Sequence, residues 1–327
     1  MPLDPAVAAV RLAVRRSLVD VGARSVLVAC SGGTDSLALL AATVFEGRHR
    51  PWRVVGVTVD HGLQAGSRER SEAVVEQMAA LGADETVGVR VRVESSGQGP
   101  EAAAREARYA VLEEVSQRYG GAPVLLGHTL DDQAETVLLG LARGSGSRSL
   151  AGMRRGFGPF RRPLLEVTRA QTVAACRAQG IEWWQDPHNE DPRYTRVRVR
   201  HRVLPVLEAE LGPGVAAALA RTADQLTEDA STLDRIAEAT LRELRREDGG
   251  YRTGDLEALL SGIRSRVLRL AALDAGCPAS ELFRVHVLAL VALVGAQTGG
   301  RQVQLPGHVT AYRDRDLLRF GRTAVSG

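Results

Sequence analysis

Lysine is absent from this sequence, because all 42 basic residues are arginine. Cysteine is scarce: Cys30, Cys176 and Cys277 lie far apart with no Cys-x-x-Cys pair, which argues against a zinc knuckle or a cysteine-ligated cluster. No apolar run approaches the ~20 residues of a membrane span. The arginine-bearing, amphipathic start also lacks the unbroken apolar core of a signal peptide, so we expect a cytoplasmic protein without a membrane partner.

Positive charge is concentrated in one part of the chain. The formal net charge is only +3, but residues 143–202 contain 13 arginines and five acidic residues, a local balance of +8. A concentrated basic stretch is typical of a protein with a polyanionic partner. A solvated, arginine-rich surface is the alternative that charge alone leaves open.

Apolar strand-like runs alternate with helical patterns over the first ~145 residues. The runs SVLVAC, WRVVGVTVD, TVGVRVRV and APVLLGH are each followed by such a helical pattern. This alternation predicts a parallel sheet covered on both faces, an α/β, Rossmann-like fold. From residue 213 the chain is mainly helical and ends in a small β element, expected as a strand pair. We therefore expect two domains, 1–212 and 213–327.

A glycine turn joins the first strand to its helix, with the sequence Ser31-Gly32-Gly33-Thr34-Asp35-Ser36. Backbone N–H groups at such a turn bind phosphate without a side-chain cation, and the glycines allow close approach. The turn lacks the lysine with which a Walker loop reaches the β- and γ-phosphates. Because Asp35 would repel phosphate unless a divalent cation lay between them, the turn predicts a different kind of magnesium–nucleotide chemistry.

Other polar groups follow neighbouring strands, and the carboxyl ends of parallel strands are where ligands bind. Asp60 ends the second strand, and His128 follows the fourth. Asp132 and Glu135 lie at i and i+3 of a helix start, so both carboxylates face the same way and can hold Mg²⁺ or a cationic amine. Turn capping by Asp60, and helix capping by one acid of the pair, are the alternatives.

Two groups of arginines are candidates for binding. Arg105 and Arg108 share a helix face beside Tyr109, where a solvated ion-pair face with Glu101 is the alternative. A second group surrounds Tyr194 and is suited to an RNA backbone; it consists of Arg193, Arg196, Arg198 and Arg200.

The hexamer SGGTDS resembles the SGGxDS loop of the N-type ATP pyrophosphatases, the PP-loop superfamily. A longer ordered set resembles the tRNA(Ile)-lysidine synthetase family from about residue 25 to residue 210. That set consists of VDHGL, AREARY, HTLDDQAETVLLGLARGSG, RRPLLEV and DPHNEDPRYTRVRVRHRVLP. The resemblance implies that residues 1–212 form a PP-loop catalytic domain with a tRNA-contacting segment at 143–202, followed by a mainly helical tRNA-binding domain.

The resemblance also implies the reaction. ATP adenylates the C2 oxygen of the wobble cytidine in tRNA(Ile) with a CAU anticodon, and free L-lysine then displaces AMP to form lysidine. ATP and Mg²⁺ are the implied cofactors, tRNA(Ile) and L-lysine are the implied partners, and a homodimer is left open. The implied catalytic residues are Asp35, Arg105, Asp132 and Glu135. ATP would contact residues 31–36, Asp60 and His128, and Asp35 would hold the metal. Lysine would lie on Asp132 and Glu135, and tRNA on Arg193, Arg196, Arg198 and Arg200.

The chain departs from the family at Val197, where an asparagine is common between the arginines, so the contact of that asparagine is in doubt here. Two other functions are open. A tRNA 2-thiolation enzyme of the same superfamily would generally need paired cysteines, which this chain lacks. A non-catalytic tRNA-binding protein would not need Asp35, Asp132 and Glu135, which are all present.

Overall fold

The computed structural model describes residues 3–60, 62, 66–91, 100–144, 147–186, 190–296 and 301–323. The chain divides into two compact units, Met1–Thr227 and Glu228–Gly327. The boundary between the units falls inside a helix that begins at Val215, so the division into functional domains at residue 213 stays a prediction.

The first unit contains a six-stranded sheet with the order β3-β2-β1-β4-β6-β5. Every neighbouring pair is parallel except β5 and β6, which form an antiparallel hairpin. The strands are β1 (Ser25–Ala29), β2 (Arg53–Asp60), β3 (Glu85–Arg90), β4 (Val124–Leu125), β5 (Gly156–Phe157) and β6 (Phe160–Arg161). The predicted α/β fold is confirmed, and the antiparallel hairpin β5–β6 adds two short strands to the sheet.

Helices cover both faces of this sheet. Val26 and Val28 of β1 belong to one buried cluster, whereas Leu27 belongs to a second cluster that includes Leu112 and Val115. Side chains of a strand alternate between faces, so a continuous apolar run supplies two cores. The helices are α1 (Pro5–Ser17), α2 (Thr34–Gly47), α3 (Ser67–Ala80), α4 (Pro100–Arg118), α5 (Leu130–Ala142), α6 (Ser147–Leu150) and α7 (Arg169–Ala178), with a 3₁₀ turn at Pro163–Glu166 before α7.

Helix α7 begins with a capping box. Thr168 is its N-cap: the Thr168 hydroxyl accepts from the Gln171 N–H at 3.2 Å, and the Gln171 side chain accepts from the Thr168 N–H at 2.8 Å. This reciprocal pair satisfies two N–H groups that a helix start leaves without partners. The capping box therefore fixes the position of the residue that follows it, Arg169.

A helical stretch from Thr195 to Glu210 carries four of the 13 arginines of the basic segment. It consists of α8 (Thr195–Arg198), a π-helical turn (Val199–Val203) and α9 (Leu204–Glu210). Inserted π-turns change which residues share a face and are frequent at functional sites. Of the described helices, none alone is long and apolar enough to cross a membrane; by length and composition only, the bent pair 195–210 and 215–244 passes together.

The second unit has its own core and an antiparallel sheet with the order β7-β10-β9-β8. Its elements are the end of α10 (Val215–Leu244), β7 (Tyr251–Arg252), α11 (Thr253–Ala258), α12 (Ser261–Asp274), α13 (Arg284–Val294), β8 (Gln302–Leu305), β9 (Val309–Asp314) and β10 (Leu317–Arg322). A mainly helical region with a small β element is confirmed. The sequence predicts a pair of strands here, but the sheet has four. Strands β9 and β10 pair with each other, β8 pairs with β9, and the two-residue β7 pairs with β10 across more than 60 residues of chain.

Candidate active site

The phosphate-loop candidate, Ser31–Ser36, connects β1 to α2. Gly32 has φ +82°, and a Cβ there would lie 2.8 Å from Val74 Cγ2. The Ser36 hydroxyl accepts from the Ser31 N–H at 3.2 Å and donates to the Gly33 carbonyl at 3.0 Å, which folds the loop over the start of the helix. No side chain caps α2 at Gly33, so its first N–H groups are suited to an anion.

Gly127, the second residue after β4, packs directly on this loop. A Cβ on Gly127 would lie 3.1 Å from the Asp35 carbonyl carbon and 3.1 Å from the Ser36 nitrogen. Only a glycine allows so close an approach between two backbones. His128 and the start of α5 are therefore held next to the phosphate loop, as the sequence predicts for the carboxyl edge of the sheet.

Asp35 lies in the first turn of α2, and its side chain is 22% exposed. Its carboxylate accepts from the Thr172 hydroxyl on α7, and Arg169 Nε lies 3.6 Å from its Oδ2. Burial raises the pKa of Asp35 by more than Arg169 and Thr172 lower it. A carboxylate whose ionised form is destabilised by burial is a candidate for a functional group.

The two carboxylate oxygens of Asp132 have different partners. Its Oδ2 accepts from the Thr129 N–H at 2.9 Å in a capping box at the start of α5. Its Oδ1 faces arginines, with Arg169 Nη2 at 2.7 Å. Burial would raise the pKa of Asp132, but Arg169, Arg196 and the Thr129 N–H lower it below its usual value. Helix capping therefore explains one oxygen of this residue, and the other remains for the site.

Glu135 is fully buried, and three guanidinium groups surround it. Arg196 Nε lies 2.6 Å from Oε2, Arg200 Nε lies 2.7 Å from Oε1, and Arg169 Nη1 lies 3.4 Å from Oε1. The same arginines reach Asp132 Oδ1, Arg196 at 3.3 Å and Arg200 at 3.4 Å. The acidic pair is thus paired with guanidinium groups of the chain itself, and its role in holding Mg²⁺ or an amine stays a prediction.

Arg169 is the residue that sequence reasoning missed. It contacts Asp132, Glu135 and Asp35 together, and thereby connects the acidic pair to the phosphate loop. Burial alone would lower the pKa of Arg169, but Asp132, Asp35 and Glu135 raise it, so the group stays charged. The capping signature at Thr168 marks Arg169 as the first residue of a helix, but nothing local indicates its partners.

The arginines predicted to bind tRNA point in two directions. Arg196 and Arg200, four residues apart, both face the acidic pair. Arg193 is 83% exposed and pairs with Asp191, while half-buried Arg198 donates to the Pro192 and Arg193 carbonyls at 2.7 and 2.8 Å. Val197, the departure from the family pattern, is 8% exposed and apolar, so it takes no part in this polar array.

His128 is joined to α4 through Arg162. Arg162 Nε donates to His128 Nδ1 at 3.3 Å, and Arg162 Nη2 donates to the Tyr109 hydroxyl at 3.3 Å. Arg105, on the exposed side of α4, donates to the same hydroxyl at 3.2 Å. Burial lowers the pKa of His128 to about 3, and Arg162, Arg108 and Arg105 act in the same direction against Asp132. His128 is therefore neutral at physiological pH.

Asp60 is placed at the end of β2, but its described contacts are not with the phosphate loop. Its Oδ1 accepts from the Gly62 N–H at 2.8 Å, and Arg90 Nε lies 3.5 Å from Oδ2. This is the turn-capping role that the sequence left open. His61, the next residue of that motif, lies outside the described residues.

Few protein side chains near the phosphate loop could coordinate Mg²⁺. Within the described ranges no group of three or more His, Cys, Asp or Glu side chains could hold a metal ion. The partly exposed Asp35 carboxylate nevertheless fits the usual nucleotide arrangement, in which Mg²⁺ takes one or two carboxylates together with phosphate oxygens and water. The residues present are compatible with a Mg²⁺ ion that arrives with the nucleotide.

The low pKa of His128 makes a prediction about acid stability. The folded-state pKa is about 3 and lies below the usual histidine pKa of 6.5, so folding excludes a proton that the unfolded chain binds. Below pH 6.5 the free energy of unfolding should therefore fall, at a slope of up to ~1.4 kcal/mol per pH unit from this residue. His128→Asn keeps an acceptor for Arg162 and should lose this slope. Urea unfolding between pH 7.5 and 4.5 measures it, and parallel curves for both proteins would contradict the assignment.

Residues 8–207 match the family model described as a PP-loop domain. The chain is 53% identical over 304 residues to tRNA(Ile)-lysidine synthase of Thermobifida fusca, covering 93% of this chain and 94% of that protein. It is 48% identical over 349 residues to the Streptomyces coelicolor tRNA(Ile)-lysidine synthase, covering 97% and 99%.

A solved structure shows the same fold. The U34-tRNA thiolase NcsA from Methanococcus maripaludis, with its [4Fe-4S] cluster, superposes with a TM-score of 0.57 at 18% identity. The match covers 68% of this chain and 80% of the thiolase. At this identity the likeness supports the α/β architecture alone.

Proposed function

The chain belongs to the tRNA(Ile)-lysidine synthase family, a family of ATP-using ligases that modify tRNA, and from this premise we propose how its site works. We propose that it joins free L-lysine to C2 of the wobble cytidine in tRNA(Ile) with a CAU anticodon. The observation that carries the proposal is Arg169, which touches Asp35 of the phosphate loop and both members of the acidic pair. The nucleotide site and the amine site would therefore be adjacent, with Arg169 in contact with both.

The first step is adenylation. The C2 oxygen of cytidine attacks the α-phosphorus of ATP, a P–O bond forms, and the bond to pyrophosphate breaks. The N–H groups of residues 31–36 are suited to hold the phosphates, and exposed Arg105 can stabilise negative charge on the activated cytidine. Mg²⁺, when bound with the nucleotide, would be held by Asp35 and would offset the charge of the phosphates.

The second step joins the amine. One amino group of lysine attacks C2, the C–O bond to AMP breaks, and the attacking nitrogen loses a proton. The other amino group, as an ammonium, suits the carboxylates of Asp132 and Glu135. Lysidine, AMP and pyrophosphate are the products.

Before lysine can bind Asp132 and Glu135, at least one arginine that pairs with them must take another anion as its partner. Asp35, Asp132 and Glu135 carry three negative charges, and Arg169, Arg196 and Arg200 carry three positive ones. A further ammonium would leave the cluster with surplus positive charge unless a guanidinium found another anion. The carboxylate of free lysine supplies that anion, since guanidinium groups bind carboxylates in two-point contacts. Arg196 and Arg200, on the partly exposed side, are suited to this exchange.

Arg198, which no carboxylate contacts among the described residues, is suited to a tRNA phosphate. Arg198→Gln should weaken tRNA binding and reduce the slope of log affinity against log salt by about one. Arg118→Gln is a matched control, because Arg118 is 71% exposed and pairs with Glu114. Filter binding of tRNA(Ile) transcript at several salt concentrations measures both. An unchanged slope would mean that Arg198 is only a surface residue.

A thiolation enzyme is the less favoured alternative. Cys30, Cys176 and Cys277 are all buried and none is in a disulfide. Burial raises the pKa of Cys30 to about 12 and that of Cys176 to about 11, so neither thiol forms the thiolate that sulfur chemistry requires. Cytoplasmic location and a homodimer stay predictions.

The test of the proposed function uses the full-length protein with ATP, labelled lysine and a tRNA(Ile) transcript that has a CAU anticodon. We expect label in the tRNA together with stoichiometric AMP and pyrophosphate. A transcript with a GAU anticodon is the matched control and should take up no lysine. Absence of label from the CAU transcript would refute the proposal, and sulfur incorporation would establish the alternative.

A further inference from the structure

An exposed aromatic side chain stands beside the candidate active site. Phe157 is 37% exposed, and in the described part of the first unit it is the only aromatic residue with so open a surface. The chain contains only five phenylalanines, so an exposed one in this position calls for an explanation. Full burial of a phenylalanine side chain is worth roughly 1.5–3 kcal/mol, so the exposed third of this ring forgoes up to about 1 kcal/mol.

The ring of Phe157 is rigidly supported. Phe157 on β5 faces Phe160 on β6 directly, with ring centroids 5.0 Å apart and an interplanar angle of 30°. Tyr109 of α4 packs against both rings, at 5.8 Å from Phe157 and 4.9 Å from Phe160. Gly158, with φ +50°, and Pro159 form a two-residue turn between the strands, which limits movement of the hairpin.

Cations surround these three rings, and the described residues offer them no carboxylate. Arg162 lies 4.7 Å from the centre of the Phe157 ring and is 6% exposed, with contacts to His128, Tyr109 and the Arg154 carbonyl. Arg105 and Arg108 lie 5.1 and 5.9 Å from the Tyr109 ring. Burial lowers the pKa of Arg108 and Arg162, and the charge of Arg105 adds to this. Unlike Arg169, Arg196 and Arg200, neither Arg105 nor Arg108 pairs with a carboxylate among the described residues, from which the side chain of Glu101 is excluded. Both are therefore candidates to bind an anion from outside.

An aromatic face next to arginines that no described carboxylate neutralises suits one class of ligand, an unpaired nucleotide. Single-stranded RNA is bound by stacking of splayed bases on aromatic rings and guanidinium planes, with basic groups on its phosphates. A protein partner would supply carboxylates for the arginines but has no need of a flat ring. Arg162 links the Phe157 ring to His128, which follows β4 at the phosphate loop, so a base on this ring would lie at the edge of the reaction site.

We propose that Phe157, supported by Phe160 and Tyr109, is the stacking surface for the wobble cytidine, and that Arg105 and Arg108 receive its phosphates. The inference rests on the proposed function and deepens it by naming the surface that holds the base. Phe157 is a positioning residue, because it orients the cytidine toward ATP and takes no part in bond formation.

The test replaces the ring without removing its apolar bulk. A CAU transcript carries pyrrolocytidine at the wobble position, a fluorescent cytidine whose emission falls when it stacks. Saturating wild-type protein should quench it, Phe157→Leu should lose most of the quenching, and Phe157→Trp should restore it. With unmodified transcript, kcat/KM for tRNA should fall by roughly 5- to 100-fold in Phe157→Leu, while the KM values for ATP and lysine stay near wild type.

Two controls make the outcomes distinct. Phe283→Leu removes a 62% exposed ring in the second unit and should leave the quenching intact. Thermal melting identifies loss of fold, and rescue by Phe157→Trp tests the ring itself. Wild-type protein that modifies the transcript while Phe157→Leu quenches normally would overturn the stacking surface alone. Wild-type protein that incorporates no lysine would overturn the proposed function instead, whatever the fluorescence shows.

Discussion

Asp35→Asn should abolish AMP formation while making the protein more stable. The amide has the shape of the carboxylate and can still accept from Thr172, but it lacks the charge that suits Asp35 to Mg²⁺. Loss of a preorganised electrostatic contact at a reacting phosphate costs ~10²–10³-fold or more in rate. AMP release from labelled ATP in the presence of tRNA(Ile) transcript measures this loss.

Although Asp35→Asn should lose activity, its free energy of unfolding should rise. Burial raises the pKa of Asp35 in the folded protein, so the folded state binds a proton more tightly than the unfolded state. This penalty is absent below the unfolded-state pKa and is complete once the pH has risen above the folded-state pKa. Asp35→Asn removes the penalty, so its free energy of unfolding at pH 7 should exceed that of the wild type. An inactive but stabilised variant would exclude misfolding as the cause of inactivity.

Asp131→Asn is the matched control for Asp35→Asn. Asp131 lies at the same edge and accepts from the Arg169 N–H at 2.7 Å, a bond that an amide oxygen can also accept. We expect it to keep adenylation near the wild-type rate. AMP formation above a tenth of the wild-type rate in Asp35→Asn would show that the phosphate loop works without this carboxylate.

Glu135→Gln should destabilise the first unit by about 3–5 kcal/mol and raise the lysine concentration needed for activity. The carboxylate is fully buried, and its loss leaves Arg169, Arg196 and Arg200 sharing Asp132 and Asp35. Breaking a buried ion pair is costly because the remaining charge stays out of water without its partner. Urea unfolding and the KM for lysine are the two measurements.

Glu114→Gln provides the comparison for Glu135→Gln. Glu114 also pairs with an arginine, Arg118 at 2.6 Å, but its side chain is 63% exposed. Its loss should cost at most about 1 kcal/mol, because water replaces the partner. In the double variant Glu135→Gln, Arg200→Met, part of the lost stability should return, since one uncompensated cation is gone. If Glu135→Gln matched Glu114→Gln in stability, the buried cluster would not contribute as described.

Local signals explain what could be predicted of the fold. The apolar runs before α2, α3 and α5 predict buried parallel strands. The hairpin β5–β6 and strand β7 could not be predicted, because two-residue strands have no periodicity and form only when a neighbouring strand offers a free edge. The same limit made the terminal β element appear smaller than it is.

The sequence by itself determined the chemical groups of the site and some of their local geometry: a phosphate loop with Asp35 in place of lysine, two acids three residues apart, and Arg196 and Arg200 four residues apart. Only the tertiary structure decided which cations meet which carboxylates. Arg169 lies 34 residues from Glu135, and Arg200 lies 65 residues from it. Spacing along one helix predicts which residues share a face. Ion pairing depends instead on the distance through space between separate elements. It also depends on burial, because a buried charge is costly unless it is paired. Packing of α7 against α1 and α2, and of the π-helical turn Val199–Val203 against α5, supplies both.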